Sequence, residues 1–378
     1  MNKHCLAALA VIILLTVLLP AGALADQPVK VLLDGESMNF DVPPVLEQGR
    51  VLVPLRPMVE ALGKEAAWDP LKRMVTIIDT NNTVKLFVDS PIVYKGDREV
   101  KLDMPVTIKN GRTLAPIRFI SEVLEARVEW QKEPKLVSIY REHNYLKSAL
   151  NDCEYWLNTK SGDLYLLKNT AMLQKIGQLQ LSIIGMGYMS AEQTPKGNVL
   201  LTVTDNFGEP GYNNIVYAVY LSDNKIAQRT MVHYYIWFKQ NIKFYREYVV
   251  MTDGKKAYLV NDDTNEIEKT FDLVALGGQD DDYFIEWMEE DYVLIRPNQT
   301  GILMLINLKT KEKVLLYKEL LSELEQKDVE TNEVPYYGDG DHLKFIEAKN
   351  NVLYFKNNSN LQRDDKIYQY PLTNTSQQ

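Results

Sequence analysis

Residues 51–77 read VLVPLRPMVEALGKEAAWDPLKRMVTI, and residues 113–139 read TLAPIRFISEVLEARVEWQKEPKLVSI. A constant offset of 62 residues aligns the two stretches without a gap. The offset pairs the positions of a repeat signature, Pro54 with Pro116, Arg56 with Arg118, and Trp68 with Trp130. Self-similarity at a fixed period indicates duplicated structural units. We therefore predict two copies of one unit, at about residues 29–78 and 92–140, that fold together as a single module.

Each copy has the pattern of short strands around one short helix. Gln48-Gly49-Arg50 and Asn110-Gly111-Arg112 are turn signals that precede apolar runs typical of strands. Further closing strands are predicted at residues 73–78 and 136–140. The duplicated region is therefore predicted to be an α+β domain.

The helix of the first copy is predicted between a proline and a glycine. Pro57 suits the first position of a helix, and Gly63 suits the left-handed residue that follows its last turn. A helix of barely two turns is not stable by itself in water. We therefore expect Leu55, Leu62 and Trp68 to bury this helix against the sheet.

These motifs resemble the N-terminal domain of copper amine oxidases, a "stalk" domain of exported proteins of Gram-positive bacteria. The residues that carry the resemblance are Val53-Pro54-Leu55-Arg56, Ala61-Leu62-Gly63 and Trp68-Asp69, with second copies Ala115-Pro116-Ile117-Arg118, Val123-Leu124 and Trp130. The resemblance covers about residues 28–140. It implies an antiparallel sheet wrapped around short helices, in a domain that carries neither the copper nor the oxidase chemistry.

The residues of an amine oxidase site are missing from the sequence. Such a site needs three imidazoles, two of them as His-x-His, and a tyrosine that becomes a quinone. The mature chain has only His143, His233 and His342, which are ninety residues or more apart. Asn144-Tyr145 is followed by Leu146, where the oxidase motif has an acidic residue. We therefore expect no amine oxidase activity.

Arg56 and Arg118 allow two interpretations. They could bind an anion beside the start of a helix. Alternatively, each guanidinium could hold loop carbonyls or a carboxylate such as Glu60 or Glu122 within the domain. Recurrence in both copies favours the structural interpretation, because a duplicated scaffold repeats its internal contacts.

The first 25 residues have the pattern of a signal peptide. Lys3 precedes the apolar stretch Leu6–Leu19, Pro20 ends it, and Ala23-Leu24-Ala25 offers small residues for cleavage. The apolar stretch is shorter than the roughly 20 residues that cross a bilayer as a helix, which disfavours the alternative of an uncleaved anchor. We expect residues 1–25 to be removed and the mature chain, without a transmembrane segment, to be secreted or cell-wall associated, in a Gram-positive bacterium.

Charge and cysteine content restrict the partners and the cross-links. The formal net charge is −9, and loss of Lys3 with the signal peptide gives −9 − 1 = −10. An acidic protein repels phosphate backbones, so we expect no nucleic-acid partner. Cys5 also leaves with the signal peptide, which leaves Cys153 alone and without an intrachain disulfide.

Residues 142–378 have the pattern of an all-β domain. Segments 248–271, 292–317 and 352–372 repeat a phrase of strands separated by polar turns. The first strands of such phrases, near residues 200, 248, 292 and 352, are about 45 to 60 residues apart, a spacing typical of four-stranded propeller blades. The region resembles degenerate β-propellers of exported bacterial proteins, and about five or six blades would fit. A β-sandwich or a long open sheet is the alternative.

Three further features of this region allow predictions. One helix is predicted at residues 316–326, where Leu320, Leu321 and Leu324 share a face. Asp339 and Asp341 are candidate calcium ligands in an acidic loop that matches no EF-hand, and no other cofactor is expected. A hydrolase would need two facing carboxylates, for which the candidates are Glu286, Glu289, Glu290 and Asp291.

The sequence thus favours an exported, non-catalytic binding or structural protein. A stalk-like module would present a β-propeller-like binding domain, at or near the cell envelope, to an extracellular or envelope ligand, either glycan or protein. The alternative is an extracellular carbohydrate-active hydrolase with its site in the C-terminal β domain. Self-association of the stalk-like domain is left open.

Overall fold

A computed structural model describes residues 28–78, 83–119, 126–169, 172–235, 239–331, 340–357 and 366–372. The predicted signal peptide lies outside these residues. The described chain divides after His143 into two compact units, two residues beyond the boundary predicted from the sequence. No helix in the described ranges is both long and apolar enough to span a membrane.

The N-terminal unit consists mostly of short strands. In its described part the strands are β1 (Lys30–Leu33), β2 (Glu36–Ser37), β3 (Val45–Glu47), β4 (Arg50–Pro54), β5 (Glu65–Asp69), β6 (Met74–Ile78), β7 (Thr83–Phe87), β8 (Ile92–Lys95), β9 (Arg98–Lys101), β10 (Thr107–Lys109), β11 (Arg112–Pro116), β12 (Ala126–Gln131) and β13 (Leu136–Arg141). Helix α1 (Leu55–Ala61) follows β4 directly. In the second copy, residues 117–119 are helical at the equivalent place, and the rest of that predicted helix lies outside the described residues.

The central sheet joins the two copies. Its strand order is β10-β11-β4-β3, and Val53 of β4 pairs with its own equivalent, Ala115 of β11. Because β4 and β11 are antiparallel and equivalent, an approximate two-fold axis passes through this pair. Glu47 and Lys109, which are equivalent positions, form an ion pair across the same axis.

Two outer sheets repeat the same plan with one difference. One has the order β12-β13-β1-β2, in which β1 is parallel to β13, and the other has the order β5-β6-β7-β8-β9. Strand β7 therefore separates β6 from β8, whereas their equivalents β13 and β1 pair directly. A single hydrophobic core contains residues from both copies, including Val53, Met58, Ala115, Val137 and Ile139.

Helix α1 is buried on one side, as its pattern predicts, but it begins earlier than expected. Its first residue is Leu55, so Pro57 occupies the third helical position instead of the first. Proline remains tolerated there because the first turn has no intrahelical acceptor for its missing N–H. Leu62 lies at the C-cap with only 7% of its surface exposed, and Gly63 follows with the predicted left-handed φ of 76°.

The C-terminal unit is built from short antiparallel strands, preceded by one turn of 3-10 helix at Glu142–Asn144. The strands are β14 (Tyr145–Leu150), β15 (Cys153–Asn158), β16 (Asp163–Lys168), β17 (Gln174–Gln178), β18 (Met186–Gln193), β19 (Val199–Phe207), β20 (Asn213–Ser222), β21 (Lys225–Tyr235), β22 (Phe244–Tyr245), β23 (Tyr248–Thr252), β24 (Lys256–Asn261), β25 (Ile267–Asp272), β26 (Tyr283–Met288), β27 (Tyr292–Pro297), β28 (Met304–Asn307), β29 (Lys313–Leu315), β30 (Leu343–Lys349), β31 (Val352–Asn357) and β32 (Ile367–Pro371). Its helices are α2 (Leu273–Gly277), α3 (Leu316–Leu320) and α4 (Glu323–Thr331).

These strands form five sheets, each made of consecutive strands. The first four sheets have four strands each, β14–β17, β18–β21, β22–β25 and β26–β29, and the fifth has β30–β32 in the described part. A four-stranded antiparallel meander is the form of a propeller blade, so the unit is β-propeller-like. The strands predicted as first in each phrase, near residues 200, 248, 292 and 352, are in fact the second strands of their sheets.

Neighbouring residues of one strand pack against different sheets. Leu201 belongs to a core shared with the first sheet, whereas Leu200 packs with residues of the third. In the third sheet, Val249 packs with residues of the second sheet and Val250 with residues of the fourth. Since side chains alternate across a strand, both faces of these strands are covered at these positions.

The prediction of a single helix at residues 316–326 is wrong in the number of helices. The chain forms two helices instead of one, α3 and α4, because Leu321 is extended with ψ 155°. Leu321 is buried whereas Leu324 is 66% exposed, so the two do not share a face as predicted. Ser322 caps the start of α4: its hydroxyl oxygen accepts a hydrogen bond from the Glu325 backbone N–H at 3.5 Å, and its own backbone N–H donates to Glu325 Oε2 at 2.8 Å.

Candidate functional site

A cleft of about 530 Å³ lies in the C-terminal unit between the second and third sheets. Its floor is one face of the second sheet, and its walls are residues 239–243 and strand β23. We call it the cleft throughout.

Strand alternation produces the polar floor. Thr202, Thr204 and Asn206 of β19 line the cleft, while the intervening Leu201 and Val203 are fully buried in the core shared with the first sheet. Successive side chains of a strand point to opposite faces, so from Thr202 to Asn206 every second residue of β19 presents a hydrogen-bonding group to the cleft, next to the apolar Leu200.

Neighbouring strands extend this floor in rows. Thr204 pairs with Tyr188 of β18 and with Val216 of β20, and all three line the cleft. Asn206 donates its amide N–H to Asn214 Oδ1 at 2.9 Å. The floor therefore combines hydroxyl and amide groups with an aromatic ring and small apolar side chains.

Hydrogen bonds hold the wall formed by residues 239–243. Asn241 accepts a bond from the Ile285 backbone N–H at 2.7 Å and donates one to the Tyr234 hydroxyl at 2.9 Å. Tyr234 donates to the Tyr283 carbonyl at 3.0 Å and stacks on Phe284 with 3.9 Å between ring centroids. Burial raises the pKa of Tyr234, so its hydroxyl stays protonated and keeps this donor role.

The charges near the cleft are balanced. Lys243 forms an ion pair with Glu192, and Lys239 Nζ lies 3.8 Å from Glu286 Oε1. None of the described residues that line the cleft is acidic. The cleft thus presents neutral hydrogen-bonding groups, with both of its lysines compensated by carboxylates.

The structure describes only one of the two predicted calcium ligands. Asp339 lies outside the described residues. Asp341 is fully buried, its Oδ1 lies 2.8 Å from Arg296 Nη1, and its Oδ2 accepts a hydrogen bond from the Leu303 backbone N–H at 2.7 Å. Arg296, itself only 1% exposed, also donates to the Leu343 carbonyl at 2.7 Å. These contacts give Asp341 a structural role, and calcium binding by the loop stays a prediction.

The carboxylates proposed for a hydrolase are held by basic side chains. Glu286 pairs with Arg296, and Glu289 lies 2.7 Å from Arg246 Nη2. Glu290 Oε2 lies 3.4 Å from Arg246 Nη2. Asp291 Oδ1 lies 2.6 Å from Lys309 Nζ. Across the described ranges, no group of three or more His, Cys, Asp or Glu side chains is placed to hold a metal ion.

The repeat signature lines two equivalent grooves in the N-terminal unit. Groove A, about 570 Å³, is lined by Pro54, Arg56 and Trp68 of the first copy and by Arg112 of the second. Groove B, about 200 Å³, is lined by the equivalents Pro116, Arg118 and Trp130, together with Arg50 of the first copy. The approximate two-fold axis therefore relates the grooves, and each takes residues from both copies.

The arginines of the two grooves have different surroundings. Arg112 lies 2.6 Å from Asp41, and its equivalent Arg50 lies 2.5 Å from Asp103. The Arg112 guanidinium lowers the pKa of the Asp41 carboxyl. Arg118 Nη1 is 3.6 Å from the same Asp103. Arg56 is exposed and makes no hydrogen bond or ion pair within the described residues, so the predicted contact with Glu60 is not formed.

Of the three residues expected to bury helix α1 against the sheet, Leu55 and Leu62 are buried, whereas Trp68 is more exposed than expected. Its side chain is 36% exposed and forms a wall of groove A, whereas Trp130 is partly buried against the core. Trp68 pairs with Val75 one residue before the end of β5. The cleft itself was not predicted. Its signal in the sequence is the alternation of Thr202, Thr204 and Asn206 with apolar residues.

Residues 32–139 match the copper amine oxidase N-terminal domain. The resemblance drawn from the repeat motifs is thereby confirmed for the N-terminal unit, which we call the stalk-like domain. No curated protein sequence matches the chain.

Several solved structures are similar to the chain at low identity. The dihydro-heme d1 dehydrogenase NirN in complex with DHE has a TM-score of 0.27 and 9% identity, over 75% of this chain and 56% of that chain. A catalytically inactive virginiamycin B lyase from Staphylococcus aureus with quinupristin has a TM-score of 0.27 and 10% identity, over 88% and 89%. Apo AztD from Citrobacter koseri has a TM-score of 0.24 and 9% identity, over 67% and 68%. The alignment thus spans little more than half of the NirN chain.

Proposed function

We propose that the chain is an exported, non-catalytic binding protein that holds a neutral, polar ligand in the cleft of its propeller-like domain. The stalk-like domain would act as a spacer at or near the cell envelope. The observation that carries the proposal is the row of hydroxyl and amide groups on β19, which faces a cavity large enough for a small ligand.

The chemistry of the cleft favours a glycan segment as the ligand. The hydroxyls of Thr202 and Thr204 offer donors and acceptors to ligand hydroxyl groups, and Asn206, whose amide N–H groups are engaged by Gly211 and Asn214, offers its amide oxygen as an acceptor. Tyr188 offers a ring, 56% exposed, to an apolar sugar face. A charged ligand gains less here, because Lys239 and Lys243 already face Glu286 and Glu192. The proposed preference for a neutral ligand over a charged one therefore depends on hydrogen bonds between uncharged groups.

A glycan array and an envelope pull-down with the mature chain test this proposal. Thr204→Trp fills the cleft from its floor, and we expect it to lower ligand capture by about tenfold or more. Thr270→Trp is the matched control, because Thr270 is exposed on β25 and does not line the cleft. The control is expected to retain capture.

The same preparation tests the alternative function. Incubation with chromogenic glycosides reports hydrolase activity, for which Glu286, beside the cleft residue Lys239, is the candidate carboxylate. Turnover that disappears in Glu286→Gln would replace the binding proposal with a carbohydrate-active hydrolase. Equal capture by wild type and Thr204→Trp would show that the ligand binds elsewhere.

A further inference from the structure

The two grooves of the stalk-like domain form a second candidate binding site, separate from the cleft. Duplication places the same three residue types, proline, arginine and tryptophan, in both grooves. Each groove is completed by an arginine from the other copy, so the folded pair is needed to form either one.

Groove A offers an aromatic platform. Trp68 is 36% exposed, and its indole N–H makes no hydrogen bond within the described part of the chain. A tryptophan presents a large apolar face and one donor, and partly wet aromatic rings are common where one side of a ligand is apolar and its edge is polar. The C–H face of a pyranose ring has this property.

Groove A also offers a guanidinium that has no partner among the described residues. Arg56 is exposed and lines the same cavity as Trp68. A guanidinium binds a carboxylate by two parallel N–H···O bonds. Asp41 and Glu60 line the groove as well and can accept hydrogen bonds from ligand hydroxyl groups.

We propose that groove A and its copy, groove B, bind uronate residues, which are pyranose rings that bear a carboxylate. The ring would lie on Trp68 in groove A, with the carboxylate on Arg56 and the hydroxyl groups near Asp41 and Glu60. Arg118 would hold the carboxylate in groove B, where Trp130 is less exposed. The stalk-like domain is then a binding module for acidic glycan and not only a spacer.

Titration calorimetry of the mature chain with trigalacturonate tests the proposal. We expect saturable binding at two sites, with the stronger site in groove A because its tryptophan is more exposed. Trp68→Ala and Arg56→Ala are expected to weaken that site by about tenfold or more. Arg56→Lys is expected to recover only part of the loss, because an ammonium lacks the planar fork. Arg118→Ala is expected to reduce the stoichiometry from two to one.

Matched controls separate the grooves from general effects of charge and stability. Arg98 and Leu71 belong to the same domain and are both exposed, Leu71 by 95%. Neither residue is among the described residues that line the grooves. Arg98→Ala and Leu71→Ala should bind trigalacturonate like wild type, as should Thr204→Trp, which alters only the cleft. Arg56 is exposed, so its variants are expected to keep the wild-type melting temperature.

Three results would overturn the proposal. The first is the absence of saturable trigalacturonate binding. The second is unchanged affinity in both Trp68→Ala and Arg56→Ala. The third is equal binding of neutral triacetylchitotriose, since a carboxylate would then contribute nothing. These measurements test a site in the stalk-like domain with an acidic ligand. A negative result would therefore leave the proposal for a neutral ligand in the cleft unchanged.

Discussion

The contacts of Asp341 show how a residue's role depends on distant partners. Its sequence context, Gly-Asp-Gly-Asp-His, is typical of a solvated or calcium-binding turn. In the structure its carboxylate is completely buried against Arg296, which lies 45 positions earlier in the chain. Only the packing of the fourth sheet against the segment that leads into the fifth brings the two together, so no local pattern could predict this ion pair.

We predict that Asp341→Asn strongly destabilises the C-terminal unit. The substitution removes one of the two carboxylates that face the buried Arg296 guanidinium and leaves Glu286 as the other, so a buried charge-assisted contact worth about 1.5–3 kcal/mol is lost. Urea unfolding followed by tryptophan fluorescence measures it. Asp280→Asn is the control, because Asp280 is 85% exposed and pairs with Lys255 at the surface. Similar unfolding free energies for the two variants would contradict the structural role of Asp341.

Trp68 and Arg56 illustrate a second limit at the residue scale. Their recurrence was sufficient to predict a structural signature, and the repeat does place both beside Pro54. Recurrence could not distinguish a core residue from a groove residue, because a duplicated binding site repeats as faithfully as a duplicated core. The exposed fraction of Trp68 distinguishes the two.

At the scale of single elements, a capping signal explains the break between α3 and α4. Ser322 and Glu325 form a capping box: the Glu325 backbone N–H donates to the Ser322 hydroxyl oxygen at 3.5 Å, and the Ser322 backbone N–H donates to Glu325 Oε2 at 2.8 Å. Glu325 is itself buried and accepts a hydrogen bond from Asn357 at 2.5 Å. The apolar periodicity of the leucines predicted one helix, but the serine three residues before a glutamate was the better guide.

We predict that Ser322→Ala destabilises the C-terminal unit by about 0.5–2 kcal/mol, because α4 loses its N-cap. Ser322→Thr should retain most of the stability, since threonine also caps helices. Leu324→Ala should have almost no effect, because this leucine is mostly exposed. Thermal unfolding followed by circular dichroism measures all three. A larger loss in Leu324→Ala than in Ser322→Ala would favour the single helix predicted from the sequence.

The strands were predicted unevenly for a physical reason. The second and third strands of the third and fourth sheets have long buried runs, and their apolar pattern located them. First strands such as β22, with only two residues, and β18, in which none of the eight residues is buried, have little apolar pattern. The repeat unit predicted from the sequence therefore begins at the second strand of each sheet instead of the first. The polar face of the cleft was missed for the same reason, since solvent-facing residues of a strand are weakly constrained.

At the scale of the whole molecule, the duplication has a geometric consequence. Equivalent strands β4 and β11 pair at the centre of the stalk-like domain, and the ion pairs Arg50–Asp103 and Arg112–Asp41 cross between the copies. The sequence predicted two copies in one module. It could not predict their mutual pairing, because a repeat pattern is also compatible with units arranged side by side.

The two units also differ in the ligand chemistry that we propose for them. The cleft of the propeller-like domain is neutral and lined by hydroxyl and amide groups, whereas groove A combines an exposed tryptophan with an arginine that has no partner among the described residues. Each proposal assigns its ligand to one defined cavity. Both depend on the side chains that line the cavity, and not on the net charge of the chain.

Hydrogen–deuterium exchange of residues 26–378, with and without a neutral glycan selected on the array, locates the bound ligand. If the cleft holds the glycan, exchange slows on β18, β19 and β23 and in residues 239–243, with no change in the stalk-like domain. Protection that is confined to the stalk-like domain, or that is absent from the walls and floor of the cleft, would contradict binding in the cleft.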